Sequence, residues 1–150
     1  MANSNTILDL MVGHHVLIEV LLKALRDNLS QGVEVIEKSL SDFQWELEKH
    51  IFIEETVIFK LCDDPNSKNC EIVKNLVKEH DKMLEMLNDL KEDLTEGEEV
   101  DVSEFQKLLT SHRETEEGDL YPELDRELDR VQKESVIARI NEIPLKQKKR

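Results

Sequence analysis

The sequence has few of the residues that interrupt helices or build sheets. It contains 4 glycines and 3 prolines in 150 positions, and only 4% of its residues are aromatic. This scarcity argues against a strand-rich fold, which needs frequent turns and many aromatic side chains. Charged residues make up 36% of the chain, a composition typical of long helices with solvated outer faces. We therefore expect one all-α domain, since a chain of this length buries roughly 70% of its unfolded surface.

Excess basic charge and long apolar runs are also missing. A net charge of −14 argues against a nucleic-acid partner, because a phosphate backbone is bound by a basic surface. No apolar run approaches the roughly 18 residues of a membrane span, and the first residues lack the charged region of a signal peptide. We expect a soluble, cytoplasmic protein that does not bind membranes. The basic segment Lys146–Arg150 is read as a solvated tail rather than a docking or lipid-binding patch.

Cysteine is scarce as well. Cys62 and Cys70 are the only two, and they flank a polar loop. In a reducing compartment they are expected to be free thiols, with a redox-sensitive disulfide between them as the alternative.

Apolar residues recur at spacings of three and four, which predicts four long helices. Thr6 can cap the first, the second ends near Cys62, the third closes around Gly97, and Asp101 or Ser103 caps the fourth. Short connections between long helices make antiparallel neighbours. The predicted architecture is therefore an up-down-up-down antiparallel four-helix bundle.

A C-terminal helical extension is expected after the bundle. Pro122 should break or kink the fourth helix, because proline lacks a backbone donor. The extension runs over 123–143, where Pro144 should end it. This divides the chain into a bundle over 1–143 and a basic tail over 144–150.

Four of the histidines lie in line with the core-facing residues of four different helices. They are His15, His50, His80 and His112. The midpoints between consecutive members fall at Gly32, at Pro65 and beside Gly97, which are all predicted turns. Because a helix rises only about 1.5 Å per residue, the four histidines are predicted to share one layer. Glu54 and Glu116 enter that layer from one turn away.

An internal repeat supports the same layer independently. His50 is followed by Glu54, Glu55, Ile58 and Phe59, and His112 is followed at the same offsets by Glu116, Glu117, Leu120 and Tyr121. The two helical hairpins therefore look like copies related by an approximate two-fold axis through the histidine layer.

Buried imidazoles and carboxylates need partners, because each buried polar group without one costs on the order of 1–3 kcal/mol. A pair of metal ions accounts for all six residues if each ion takes two imidazoles and both carboxylates bridge. Nitrogen and oxygen ligands without cysteine favour iron, with manganese or zinc as less favoured choices. A buried network of hydrogen-bonded His–Glu pairs is the alternative.

The ordered set His15, His50-x-x-x-Glu54, His80 and His112-x-x-x-Glu116 resembles the hemerythrin-like family, the HHE cation-binding domain, over about residues 6 to 125. The resemblance implies a non-heme di-iron centre with an oxo or hydroxo bridge that binds O2 or a related small molecule. It also implies that Glu54 and Glu116 bridge the two irons and that the four histidines are terminal ligands. The segment 1–143 would then be a hemerythrin-like bundle.

The chain departs from the oxygen-carrying hemerythrins at two positions. Leu84 stands where they have a further histidine, and their fourth-helix aspartate, five residues after the histidine, is replaced by Glu116 at four or Glu117 at five. The iron near His80 and His112 is therefore expected to be more open to solvent or to recruit Glu117. Glu55 is a further possible ligand.

Several neighbours of the ligands have open roles. His14 is expected beside the metal ligands or on the surface, since a helix rotation of about 100° separates it from His15. Glu19, Glu55 and Glu79 are candidates to orient ligand imidazoles, although a solvated acidic face explains them equally well. Tyr121 is read as a core or rim aromatic, or as a residue lining the entrance to the site.

Three functions are consistent with this pattern. The first is a binding protein that binds or senses O2, nitric oxide, peroxide or iron. The second is a di-iron oxidoreductase acting on peroxide or nitric oxide, with the metal supplying Lewis acidity and electrons. The third is a metal-free acidic helical adaptor whose polar layer sets the register of the bundle.

Overall fold

The computed structural model describes residues 6–147, with the side chains of residues 6–143, and it is helical along most of that length. No strand occurs within this range. The α-helices are α1 (Ile7–Asp27), α2 (Val33–Ile53), α3 (Lys68–Thr95), α4 (Ser103–Thr115), α5 (Tyr121–Glu127) and α6 (Arg130–Gln147). Two π-helical turns follow α2 and α4, at Glu54–Ile58 and Glu116–Leu120, and a short 3-10 turn covers Phe59–Leu61.

The helices pack side by side as a bundle. α1 contacts α2, α2 contacts α3, and α3 contacts α4. α5 returns to α1, while α6 lies against α2 and the first π turn. The all-α prediction is confirmed. None of the described helices is long and apolar enough to cross a membrane.

Two apolar clusters form the core, one on each side of the predicted histidine layer. One cluster includes Ile18, Leu22, Phe43, Leu47, Met83, Phe105 and Leu109. The other includes Ile7, Met11, Ile53, Ile58, Leu76, Leu120 and Ile140. Along α1 and α3 the buried residues pass from the second cluster through a histidine into the first cluster, so the polar layer is enclosed by apolar side chains.

The start of α1 is fixed at two points. Thr6 caps it as predicted, because its hydroxyl accepts a hydrogen bond from the Asp9 amide at 3.0 Å. The carboxylate of Asp125 accepts from the amides of Ile7 and Leu8 at 2.8 and 3.0 Å. These bonds attach the first helix to α5.

The C-terminal extension differs from the prediction. Pro122 does not break the helical path, because it lies in the first turn of α5, where a helix needs no donor from it. The extension is instead interrupted at Leu128, whose backbone is extended. The side chains of Asp129 and Gln132 then cap each other's amides at 2.8 and 2.9 Å and begin α6.

The predicted end of the extension at Pro144 is also wrong, because α6 continues to Gln147. A proline this close to a helix end removes one backbone donor and leaves the preceding turns intact. The last residues of the predicted basic tail, 148–150, lie outside the described residues.

Cys62 and Cys70 are joined in a disulfide, so the prediction of free thiols is wrong. The polar turn between them brings their Cα atoms to 5.4 Å, a separation that a disulfide spans. The bond connects the end of the 3-10 turn after α2 to the start of α3.

Candidate metal centre

The six residues predicted as metal ligands lie together in the middle of the bundle, and all are buried. Each of the helices α1, α2, α3 and α4 supplies one histidine, and the two glutamates begin the two π turns. They are His15, His50, Glu54, His80, His112 and Glu116. The juxtaposition expected from the spacing is therefore present.

The π turns explain how two consecutive glutamates both reach the layer. A π turn holds an extra residue and is frequent at functional sites. Glu54 and Glu55 contact the two ring nitrogens of His80, Nε2 at 2.9 Å and Nδ1 at 2.7 Å. The second turn repeats the arrangement, since Glu116 and Glu117 contact Nε2 and Nδ1 of His15 at 3.0 and 2.7 Å.

The six side chains form two overlapping groups, each with ligand atoms within 4.8 Å of one another and each able to hold a metal ion. The first position is defined by His15, His50, Glu54 and Glu116, and the second by His80, His112 and the same two glutamates. Both glutamates belong to both groups. This is the arrangement that bridging carboxylates require.

Each of the two shared glutamates, Glu54 and Glu116, directs one carboxylate oxygen to each position. At the first position, Glu54 Oε2 lies 3.3 Å from His50 Nε2, and Glu116 Oε1 lies 3.0 Å from His15 Nε2. At the second, Glu54 Oε1 lies 2.9 Å from His80 Nε2, and Glu116 Oε2 lies 2.9 Å from His112 Nε2.

Three of the histidines have an outer carboxylate at Nδ1. Glu117 contacts His15, Glu55 contacts His80, and Glu79 contacts His112, each at 2.7 Å. Such contacts fix the imidazole orientation and leave Nε2 to face a metal. Glu55 and Glu117 belong to neither group of candidate ligands, and Glu117 lies beside His15 instead of near His80 and His112, where it was expected.

Two further neighbours of the centre, Glu19 and His14, do not contact an Nδ1 atom of the four central histidines. Glu19 pairs with Arg113 and is 41% exposed, so of its two possible roles the solvated acidic face fits better than the orientation of an imidazole. The long Arg113 side chain extends from α4 and forms an ion pair with the Glu19 carboxylate. His14 is half-buried, with its ring centroid 6.1 Å from that of His50.

The chemistry of the donor set fits metal ions. Several buried nitrogen and oxygen atoms of the centre make no aligned hydrogen bond within the described part of the chain, although most lie close to an opposite polar atom: His15 Nε2, His50 Nδ1, His50 Nε2, His112 Nε2 and Glu116 Oε2. All of them except His50 Nδ1 belong to the close His–Glu pairs of the two candidate groups. Leaving so many buried polar atoms without an aligned hydrogen bond is costly, and a cation satisfies them together.

Without metal, the histidines of the centre differ strongly in pKa. Burial, together with the neighbouring His50, lowers the pKa of His15 from 6.5 to about 3, so its imidazole is neutral and available as a ligand. Burial opposes the charged form of His112 too, but the carboxylates of Glu116 and Glu54 outweigh it and raise its pKa to about 11.

The two central carboxylates repel each other. Burial and the charge of Glu54 raise the pKa of Glu116 well above its usual value. Burial acts on Glu54 in the same direction, but the adjacent His50, Glu116 and His112 hold its pKa below the usual value. These opposite shifts favour an ionised Glu54 beside a protonated Glu116 when no cation is bound.

Tyr121 belongs to the centre, where the sequence placed only a core, rim or entrance aromatic. Its side chain is fully buried, and its hydroxyl contacts Glu54 Oε2 and lies 3.1 Å from Glu116 Oε1. Burial and both carboxylates raise the pKa of the phenol well above 10. The repeat, which pairs Tyr121 with the buried Phe59, was the available signal for its position.

A small cavity of about 10 Å³ borders the histidine layer. Its walls are the four imidazoles, the Glu19–Arg113 pair and apolar side chains that include Ile18, Leu47, Met83 and Leu109. A space of this size holds one water-sized molecule. The centre therefore has room on this side for a very small ligand.

Fold and site together define a helical bundle with a buried centre of four histidines and two glutamates that can hold two metal ions. The family profile for the hemerythrin HHE cation binding domain matches residues 6–124. The chain belongs to this family, as its motifs predicted. No curated protein and no solved structure gives a significant match.

Proposed function

We propose that this chain binds two iron ions between α1, α2, α3 and α4 and that the di-iron centre binds or senses a small molecule such as O2 or nitric oxide. His15 and His50 would hold one ion, His80 and His112 the other, and Glu54 and Glu116 would bridge them. The four helices would run up-down-up-down. Iron supplies an electron-rich centre that binds such molecules, with manganese and zinc less favoured by the ligand set.

The observation that carries this proposal is the sharing of both carboxylates by two histidine pairs. Glu54 and Glu116 each direct one oxygen to each position, at 2.9–3.3 Å from a histidine nitrogen. Several of these close pairs, such as His15 Nε2 with Glu116 Oε1, are not aligned as hydrogen bonds, whereas two ligands of one cation need no such alignment. The metal-free adaptor is therefore the poorer account.

The cavity supports a very small ligand. Its volume of about 10 Å³ accommodates a water-sized or diatomic molecule, while larger organic substrates are excluded unless side chains move. Its walls include all four imidazoles. A diatomic molecule bound there would lie beside both metal positions, between the imidazoles and apolar side chains such as Ile18 and Met83.

Anaerobic titration of ferrous-loaded protein tests the proposal. Adding nitric oxide or O2 in separate experiments should produce a saturable change in the visible spectrum at about one molecule per di-iron centre. His112→Ala should lose the response, while His14→Ala, the matched control outside the bridged groups, should keep it. Iron-loaded protein whose spectrum responds to neither gas would contradict a binding or sensing function, and continuous turnover of nitric oxide or peroxide would favour an oxidoreductase.

A further inference from the structure

The two metal positions differ at one pair of residues that the internal repeat makes equivalent. Phe59 lies nine residues after His50, and Tyr121 lies nine residues after His112. The Phe59 ring stacks on His80 with centroids 5.5 Å apart, and the Tyr121 ring stacks on His15 with centroids 5.9 Å apart. Each aromatic ring therefore covers one histidine of one metal position, and only Tyr121 adds a polar atom.

The Tyr121 hydroxyl meets one side of the centre only. It contacts Glu54 Oε2 and lies 3.1 Å from Glu116 Oε1, which are the two carboxylate oxygens that face His50 and His15. The oxygens Glu54 Oε1 and Glu116 Oε2, which face the second position, receive no contact from it. The phenolic oxygen thus adds a fifth donor beside the first position, where the second position has four.

We propose that Tyr121 is a ligand of the iron held by His15 and His50, and that the iron held by His80 and His112 keeps the open position where a small ligand binds. Tyr121 can act this way only if the proposed di-iron centre forms. Ferric iron is a hard cation that favours anionic oxygen donors. As the iron–oxygen bond forms, the phenolic O–H bond breaks and its proton passes to solvent, while the charge of the cation stabilises the phenolate in this buried site.

This assignment gives the equivalent aromatic residues distinct functions. The hydroxyl of Tyr121 fills a coordination place at the first position, and the Phe59 ring leaves the matching place at the second position without a protein donor.

The wild-type protein provides the first test, because Tyr121 is the only tyrosine in the sequence. Ferric-loaded protein should show a visible phenolate-to-iron charge-transfer band, and resonance Raman excitation in that band should enhance tyrosine ring vibrations. Metal content is measured on the same sample. Two irons per chain without a tyrosinate signal would overturn this inference and leave the proposed function standing, whereas a chain that binds no iron would overturn both.

Azide supplies the second test, since it binds to open positions on ferric iron. We expect about one azide per chain in the wild type and about two in Tyr121→Phe, which frees a place on the first iron. The reciprocal variant Phe59→Tyr should weaken azide binding about tenfold or more by adding a donor at the second iron. Equal azide stoichiometry in wild type and Tyr121→Phe, or unchanged affinity in Phe59→Tyr, would contradict the assignment.

Discussion

At the residue scale, the acidic side chains around the histidines fall into two groups with different contacts. Glu54 and Glu116 face Nε2 atoms inside the layer, while Glu55, Glu79 and Glu117 contact Nδ1 atoms from outside. Only the inner group can bridge two ions. The outer group would act on bound metals through the orientation and basicity of the imidazoles.

This division predicts graded losses of metal affinity. Glu54→Gln removes a bridging charge at both positions and should abolish binding of the metal pair, whereas Glu55→Gln should weaken it about 10–100-fold through His80. Competition with a coloured chelator measures both changes. Glu85→Gln is the control, because its side chain is 67% exposed on α3 and should bind metal like the wild type. Equal affinities in Glu54→Gln and Glu85→Gln would contradict the bridging role.

His14 should make the metal-free protein sensitive to acid. Burial lowers its pKa from 6.5 to about 4, and the charges of His50 and Lys49 lower it further in the same direction. In the unfolded chain His14 takes up a proton as the pH falls through about 6.5, whereas in the folded chain it is protonated only near pH 4. The folded state therefore loses stability between these two pH values.

Urea denaturation of chelator-treated protein measures this effect. Between about pH 7 and about pH 5, the free energy of unfolding of His14→Gln should fall less than that of the wild type, by on the order of 1 kcal/mol. Equal pH dependence in the two proteins would show that His14 titrates normally in the folded chain.

The sequence was sufficient to predict the juxtaposition of the six central residues, because their helical phase and the positions of the turns are both visible in it. It did not reveal the contacts of the Tyr121 hydroxyl with the two central carboxylates. An aromatic nine residues after a histidine is ordinary core composition, and its hydroxyl becomes informative only once the π turn brings it to the carboxylates. The pairing of Glu19 with Arg113 was missed for a similar reason, since acidic residues are abundant and their partners depend on side-chain reach.

At the scale of helices and turns, the structure departs from the sequence prediction at junctions. The π turns at 54–58 and 116–120 have no strong residue signature. The periodicity of the apolar residues therefore predicts a continuous α-helix across them. The interruption at Leu128 did have a signal, because Asp129 and Gln132 stand at the spacing of a capping box. A continuous helix remained plausible there because the residues on both sides are good helix formers.

α6 should contribute to stability through its buried face. Ile140 is fully buried in the cluster beside the π turns, so Ile140→Ala should lower the free energy of unfolding by about 2–4 kcal/mol. Val131→Ala on the same helix removes a side chain that is 74% exposed and should change stability by less than about 0.5 kcal/mol. Urea denaturation compares the two variants, and similar losses in both would mean that α6 is not docked as described.

The disulfide should stabilise the connection between α2 and α3. Cys62 and Cys70 enclose a short loop, and closing a loop of this size is worth about 2–3 kcal/mol in the chain-entropy account. Adding a reductant should lower the denaturation midpoint of the wild type and leave that of the Cys62→Ser/Cys70→Ser double variant unchanged. A wild-type midpoint that does not respond to reductant would indicate that the bond contributes nothing.

At the scale of the whole molecule, the bundle encloses one polar layer between two apolar clusters. Such a layer destabilises a metal-free bundle, because it contains nitrogens without an aligned hydrogen bond and buries carboxylates away from water. Binding two cations would remove both costs and couple metal affinity to folding. The matching hairpins explain why one layer can serve two ions, since each hairpin supplies two histidines and one bridging glutamate.

The most direct test of this account is the metal content of protein purified without chelator or affinity tag, measured by mass spectrometry for three proteins. Wild type and His14→Ala should each carry about two irons per chain, one for each group of ligands, and His15→Ala should carry markedly less. His14 and His15 are adjacent in α1, so comparing their variants distinguishes the loss of a metal ligand from a general disturbance of the helix. Wild-type protein that stays metal-free after anaerobic reconstitution with ferrous iron, or equal metal content in all three proteins, would contradict the central claim.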